Sequence, residues 1–204
     1  GTILMVESQC RGPKSTHLEN HRSRLDLSLS VRGERMSRDG NPDGALVIVP
    51  AFKASTTVCL VIESALKFAS HVLVVDDKCP ENSGSYVESN FGGNERVTLL
   101  RRDTNGGVGA AMKTGFDWAL QRDFSIVVKM DADDQMDASK IPAMLAAIRL
   151  GSADMIKGNR FESVQDIERM PLVRILGNGV LSLLAKFSSG LWSINDSTNG
   201  FFAI

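Results

Sequence analysis

The sequence predicts an α/β domain built on a mostly parallel sheet with helices on both faces. Three observations carry this. Short apolar, β-branched runs recur at residues 45–50 (ALVIVP), 71–77 (HVLVVDD) and 124–131 (FSIVVKMD). Stretches with helical spacing alternate with them. The runs are too apolar to have one wet face, which is the pattern of parallel strands covered by helices on both sides.

The elements follow in order. Residues 1–44 hold seven Lys/Arg, six Asp/Glu and many serines with little periodic apolar pattern. They end in the turn signal Asn41-Pro42-Asp43-Gly44 and are expected to be a flexible extension. The first strand is expected at 45–50 and a helix at 56–69. Strands follow at 71–77 and 96–100. The segment 108–120 is helical, with Ala111, Phe116, Ala119 and Leu120 as its expected buried face. A strand at 124–131, a helix at 139–150 and a strand at 153–157 come next. The last helix, 171–188, opens on Pro171, where a missing N–H costs nothing. It is amphipathic, and its apolar face either packs on the domain or meets lipid, with Arg174 and Lys186 reaching head groups.

Bulk properties exclude several classes. The 204 residues suit one domain plus a tail, and 43% apolar and 23% charged residues are ordinary for a globular chain. A net charge of -1 gives no global attraction to nucleic acid, and no nucleic-acid partner is expected. Cys10, Cys59 and Cys79 form no metal spacing and argue for a reducing compartment. His17, His21 and His71 are too scattered for a metal site. No secretory leader is expected, because no basic region precedes the short apolar opening. No run reaches the roughly 18 apolar residues of a membrane span.

In open α/β sheets, ligands bind outside the carboxyl ends of the strands. Asp76, Asp77, Asp131 and Asp133 all follow apolar strands, so they are expected on one rim. Asp131 and Asp133 are two apart, and in an extended segment such residues face the same side. Both can then converge on a hard cation, Mg2+ or Mn2+, that bridges the phosphates of a diphosphate. Met136 stands where an EF-hand loop would need Gly. At a strand end, Asp76 or Asp77 can accept a hydrogen bond from a nucleobase N–H or a ribose hydroxyl. Asn105-Gly106-Gly107-Val108-Gly109 leads into a helix whose N-terminus favours anions, with Lys113 close behind. It lacks the GK[ST] ending of a Walker A loop.

Together these segments resemble the family-2 glycosyltransferases of the GT-A fold, from about residue 45 to 204. The first strand with Pro50 and Phe52 resembles the family's opening strand and Pro-x-aromatic. Val75-Asp76-Asp77 resembles its second-strand motif. Asn105, Gly107, Gly109, Ala111 and Gly115 fit its N-x-G-x-G-x-A-x-x-x-G run, and Asp131-Ala132-Asp133 sits where its DxD motif belongs. Gly158-Asn159-Arg160, the long helix and Asp196-Ser197-Thr198-Asn199-Gly200-Phe201 resemble the polyprenyl- or dolichyl-phosphate sugar transferase branch.

The resemblance implies a catalytic domain at 45–204, expected to be shortened at its carboxyl end. It implies an inverting sugar transfer from a UDP- or GDP-sugar to an acceptor, a polyprenyl phosphate in this branch, in cell-envelope polysaccharide synthesis. Asp77 would hold the base, Asp131 the ribose or the metal shell, and Asp133 the metal. Pro50, Phe52, Asn105, Gly107 and Lys113 would line the nucleotide-sugar site. Arg160 would lie near the phosphates and Asp196 at the acceptor. The implied place is the cytoplasm, at a membrane face. The chain departs from the family's usual residues at Lys53 for Asn, Lys78-Cys79 for Gly-Ser and Phe202 for Arg. Two rivals remain. A sugar-1-phosphate nucleotidyltransferase would carry a Gly-rich, Arg-containing loop after the first strand, where residues 50–57 have neither residue. A catalytically incomplete nucleotide-binding domain would bind donor without transfer.

Overall fold

The structure, a computed structural model, describes residues 3–6, 44–158, 172–189 and 199–204. Seven strands form one sheet: β1 (Ile3–Val6), β2 (Ala45–Ala51), β3 (His71–Asp76), β4 (Val97–Arg101), β5 (Ile126–Lys129), β6 (Met155–Gly158) and β7 (Phe202–Ala203). Their order across the sheet is β1-β6-β7-β5-β2-β3-β4. The pairs β2/β3, β2/β5 and β3/β4 are parallel, whereas β5/β7, β6/β7 and β1/β6 are antiparallel. The helices are α1 (Val58–Ala65), α2 (Ser83–Phe91), α3 (Gly107–Leu120), α4 (Ile141–Arg149) and α5 (Leu172–Ser189).

Alternation along the central strands explains the uniformly apolar runs. Val47 and Val49 of β2 and Val72 and Val74 of β3 face one way, into a layer with Val58, Val61 and Ile62 of α1 and Ile141 and Met144 of α4. Leu46, Ile48, Leu73 and Val75 face the other way, against Ala111, Met112, Trp118 and Ala119 of α3. Each face must be apolar, so no alternation survives in the sequence.

Ile3–Val6, inside the stretch expected to be flexible, forms the outer strand β1 on β6; residues 7–43 lie outside the described residues. Helix α2 falls where no element is expected. The buried stripe of α3 is Ala111, Met112, Gly115, Trp118 and Ala119. Leu120, expected inside, is 74% exposed. It lies one residue past the stripe, about 100° further round the helix. The register aligns Pro50 with Val75 and Ala51 with Asp76, so β2 and β3 end level. That shared edge positions the site.

Candidate active site

A cleft of about 540 Å3 opens at the carboxyl ends of β2, β3 and β5. Pro50, Phe52, Asp77, Asn105, Gly107, Asp131 and Asp133 all line it, together with Lys53, Thr57 and Ala132. Seven of the residues expected at a donor site therefore meet in one place. Lys113 does not line it. Its Nζ lies 2.6 Å from Asp117 Oδ2, one turn along the exposed face of α3. Arg160 and Asp196 lie outside the described residues.

One wall is built by Asp77. Its buried carboxylate accepts from the backbone N–H of Gly106 at 3.1 Å and of Gly107 at 2.7 Å. Arg102, immediately after β4, donates to the same carboxylate and pairs with it. The glycine loop is thus wound around a negative charge. Asn105 Oδ1 also accepts from the Gly107 N–H at 3.1 Å. Gly107 has φ of 78°, where a side chain would be strained. Asp77, expected to hold a base, has its oxygens on the chain's own donors and shapes the glycine loop.

Asp76 and Cys79 brace the adjoining wall. Asp76 Oδ1 accepts from the Cys79 N–H at 2.8 Å. Cys79 Sγ accepts from the Lys53 N–H at 3.0 Å and lies 3.1 Å from Ser83 Oγ. Burial pushes this thiol up, but hydrogen bonds from the Ser83 hydroxyl and from the backbone N–H groups of Ser83, Lys53 and Glu81 outweigh it, so its pKa falls below the usual value. Cys79 thereby ties the loop after β2 to the start of α2. Lys53 and Lys78 have φ of 54° and 53°. Asn and Gly, the family's usual residues there, enter this left-handed region cheaply; a lysine costs about 1 kcal/mol. The departures at Lys53 and Lys78 therefore fall on backbone that Asn or Gly would adopt more cheaply, and nothing in the structure explains the lysines.

The opposite wall carries Asp131 and Asp133. β5 ends at Lys129, and residues 132–133 form a turn, with Asp134 at φ of 60°. The extended geometry expected for this segment is therefore replaced by a turn. The turn is pinned from α1's side, where Thr57 Oγ1 donates to the Ala132 carbonyl at 2.5 Å. Asp133 is exposed, and its Oδ1 accepts from the Gln135 N–H at 3.2 Å. Asp131 is half-buried, with Oδ1 2.5 Å from Lys129 Nζ. Among the described residues, no group of three or more His, Cys, Asp or Glu side chains is placed to hold a metal. Two carboxylates fit a hard cation such as Mg2+ or Mn2+ whose other ligands are phosphate oxygens and water.

Two residues of this site escaped the sequence reading. Arg102 follows a strand at the carboxyl rim, so the rim rule could have found it. Lys129 was visible as a lone charge in an apolar strand.

The sequence profile of Glycosyl transferase family 2 matches residues 46–203. The polyprenol monophosphomannose synthase of Mycolicibacterium smegmatis is 30% identical over 185 residues, covering 86% of this chain and 69% of that protein. The undecaprenyl-phosphate mannosyltransferase of Micrococcus luteus is 31% identical, covering 78% of this chain and 65% of that protein. The chain thus spans about two thirds of the length of these curated relatives. Glucosyl-3-phosphoglycerate synthase from Mycobacterium tuberculosis, solved with Mn2+, UDP-glucose and phosphoglyceric acid, superposes with a TM-score of 0.59 over 78% of this chain and 56% of that one. At 17% identity, that likeness shows the shared GT-A fold alone. The profile runs from β2 through β7 and takes in every wall of the cleft, and on that match the chain belongs to glycosyl transferase family 2.

Proposed function

We propose that this chain carries the donor site of an inverting glycosyltransferase, which moves a sugar from a UDP- or GDP-sugar to the phosphate of a polyprenyl phosphate with Mg2+ or Mn2+. One observation carries the reading. A glycine loop wound on Asp77 faces the Asp131–Asp133 turn across a single cleft at the carboxyl rim. The relatives' names, polyprenol monophosphomannose synthase and undecaprenyl-phosphate mannosyltransferase, support the acceptor class.

In this reading Phe52 and Pro50 form the side on which the nucleoside lies, and the loop at Gly106 and Gly107 meets the base. Asp131 faces the ribose side, and Asp133 presents oxygens toward the diphosphate. A bound divalent cation supplies charge stabilisation to the departing diphosphate. Arg160 adds a second positive charge there, and Asp196 positions the acceptor. An acceptor phosphate oxygen bonds to the anomeric carbon as the bond to the donor diphosphate breaks. The bonding pair leaves with the diphosphate, and the anomeric carbon inverts. A phosphate acceptor is already anionic near neutral pH, so positioning matters more than proton removal.

The lipid part of the acceptor has a candidate neighbour in α5. Val180, Leu183, Leu184 and Phe187 recur at helical spacing and are exposed, with Leu181 beside them. Among the described residues no helix is long and apolar enough to cross a membrane. We place this stripe at a lipid surface. Co-sedimentation with anionic vesicles is expected, and a protein left wholly in the supernatant would remove this part.

Calorimetric titration with UDP and GDP, with and without Mn2+, tests the donor site. Metal-dependent binding of one nucleotide is expected. Asp133→Ala should lower turnover by about a hundredfold or more while leaving the fold intact, because the side chain is exposed. A folded protein that binds neither nucleotide would overturn the reading.

A further inference from the structure

Lys129 ends β5 two residues ahead of Asp131, and its side chain is only 8% exposed. In the antiparallel β5/β7 pair it sits opposite Phe202, so both side chains leave the sheet on the same face. Phe202 packs against the apolar layer beneath α3. The ammonium is therefore buried beside apolar groups, with its Nζ 2.5 Å from Asp131 Oδ1. The backbone at Gly200 seals the pair: a Cβ there would collide with Lys129 Nζ and lie 2.5 Å from Asp131 Oδ2. An ammonium buried this deeply does not release its counter-ion without a large penalty.

We infer that Lys129 is a positioning residue that holds Asp131 back from the metal and so makes divalent-cation binding in this cleft conditional on a diphosphate. The inference rests on the reading of the cleft as a diphosphate–metal site. The argument is one of local charge. With Lys129 in place, the two carboxylates Asp131 and Asp133 present about one net negative charge. A dication alone meets a weak field and few fixed ligands. A diphosphate restores the missing charge and oxygens. By linkage, the factor by which diphosphate tightens the metal is the factor by which metal tightens the diphosphate.

The test measures Mn2+ binding alone, from the electron paramagnetic resonance of the free ion, and then with UDP or GDP. In the wild type, Mn2+ alone is expected to bind at least about tenfold more weakly than with the nucleotide, a difference of about 1.4 kcal/mol. Lys129→Met should tighten Mn2+ alone by about tenfold and shrink the coupling, whereas Lys129→Arg should keep the wild-type pattern. Lys129→Gln, which leaves a neutral donor on Asp131, carries the same expectation as the Met variant should that one not fold. Unchanged or weaker Mn2+ binding in the neutral variants, alongside normal metal-dependent nucleotide binding in the wild type, would overturn the inference and leave the donor site standing. A wild type that binds no nucleotide with Mn2+ would overturn both.

Discussion

Arg96 and Arg102 flank strand β4 on either side, and the two do different work. At its amino end, Arg96 donates to the backbone carbonyls of Ser70 at 3.1 Å, Leu66 at 2.7 Å and Ala69 at 2.5 Å. These carbonyls belong to the turn that leaves α1, so Arg96 closes that helix's carboxyl end onto the sheet. At its carboxyl end, Arg102 donates to Asp77, which in turn holds the glycine loop. The residue type and the strand are the same; the partners differ. At one end the cation satisfies main chain, and at the other it supports a loop that faces a cleft. Cavity size follows the opposite order. The larger cavity, about 1160 Å3, lies at the amino end and is lined by Arg96, His71, Trp118 and Phe124. There His71, Trp118 and Phe124 stack, and the Arg122 guanidinium lies 4.1 Å from the Trp118 ring. What sets the smaller cleft apart is its carboxylates, Asp77, Asp131 and Asp133, whereas the larger cavity is lined mainly by cations, Lys67, Arg96, Arg122 and Arg149, with Glu95.

This contrast can be broken by mutation. The largest effect is expected from Arg102→Met, which leaves the buried Asp77 carboxylate without its cation. Stability should fall by about 3 kcal/mol in urea unfolding, and metal-assisted nucleotide binding should weaken by about tenfold or more. Loss of stability with full binding would erase the distinction between the two ends. Arg96→Ala comes next. Three carbonyls lose a donor at a solvent-accessible edge, so the cost should be about 1–2 kcal/mol, with nucleotide affinity within about twofold of wild type. Affinity lost in step with Arg102→Met would show that β4 acts as one unit. The smallest effect belongs to Lys113→Ala. Its pair with Asp117 is well exposed and screened, so stability should change by less than about 0.5 kcal/mol, with calorimetric nucleotide binding unchanged. A clear drop in affinity would bring Lys113 back to the donor site.

The arginines flanking β4 were not singled out in the sequence, but the sheet and its carboxylate rim were legible, for a physical reason. The central strands are buried on both faces, and continuous apolar runs report that directly. The carboxylates ending those runs then fall on the rim by topology. Helix α2 was not legible, because SGSYVESNF offers only Val87 as a buried large apolar side chain and no amphipathic stripe forms. Strand β7 is two residues long, too short for any period. The turn at Asp131–Asp133 was misjudged as extended, since Asp134's left-handed backbone and the Thr57 bond come from tertiary packing. Pairings such as Arg102–Asp77 join residues 25 apart, and residue types alone do not choose among candidate partners.

Strand β7 has one more consequence, and it concerns the order of assembly. It lies between β5 and β6, and residue 204 exchanges both backbone hydrogen bonds with Val127 at 2.9 Å. The sheet therefore cannot close until almost all of this sequence has left the ribosome. Until then β5 and β6 expose unpaired edges, the surfaces most prone to sticking to other chains. The outermost pairing, Ile3 with Gly158, joins residues about twice as far apart in sequence as Val127 and Ile204, yet it can form as soon as β6 is made. Until β7 is made, a nascent chain of this topology keeps its sheet open along the side that will later carry Gly200 against Lys129 and Asp131.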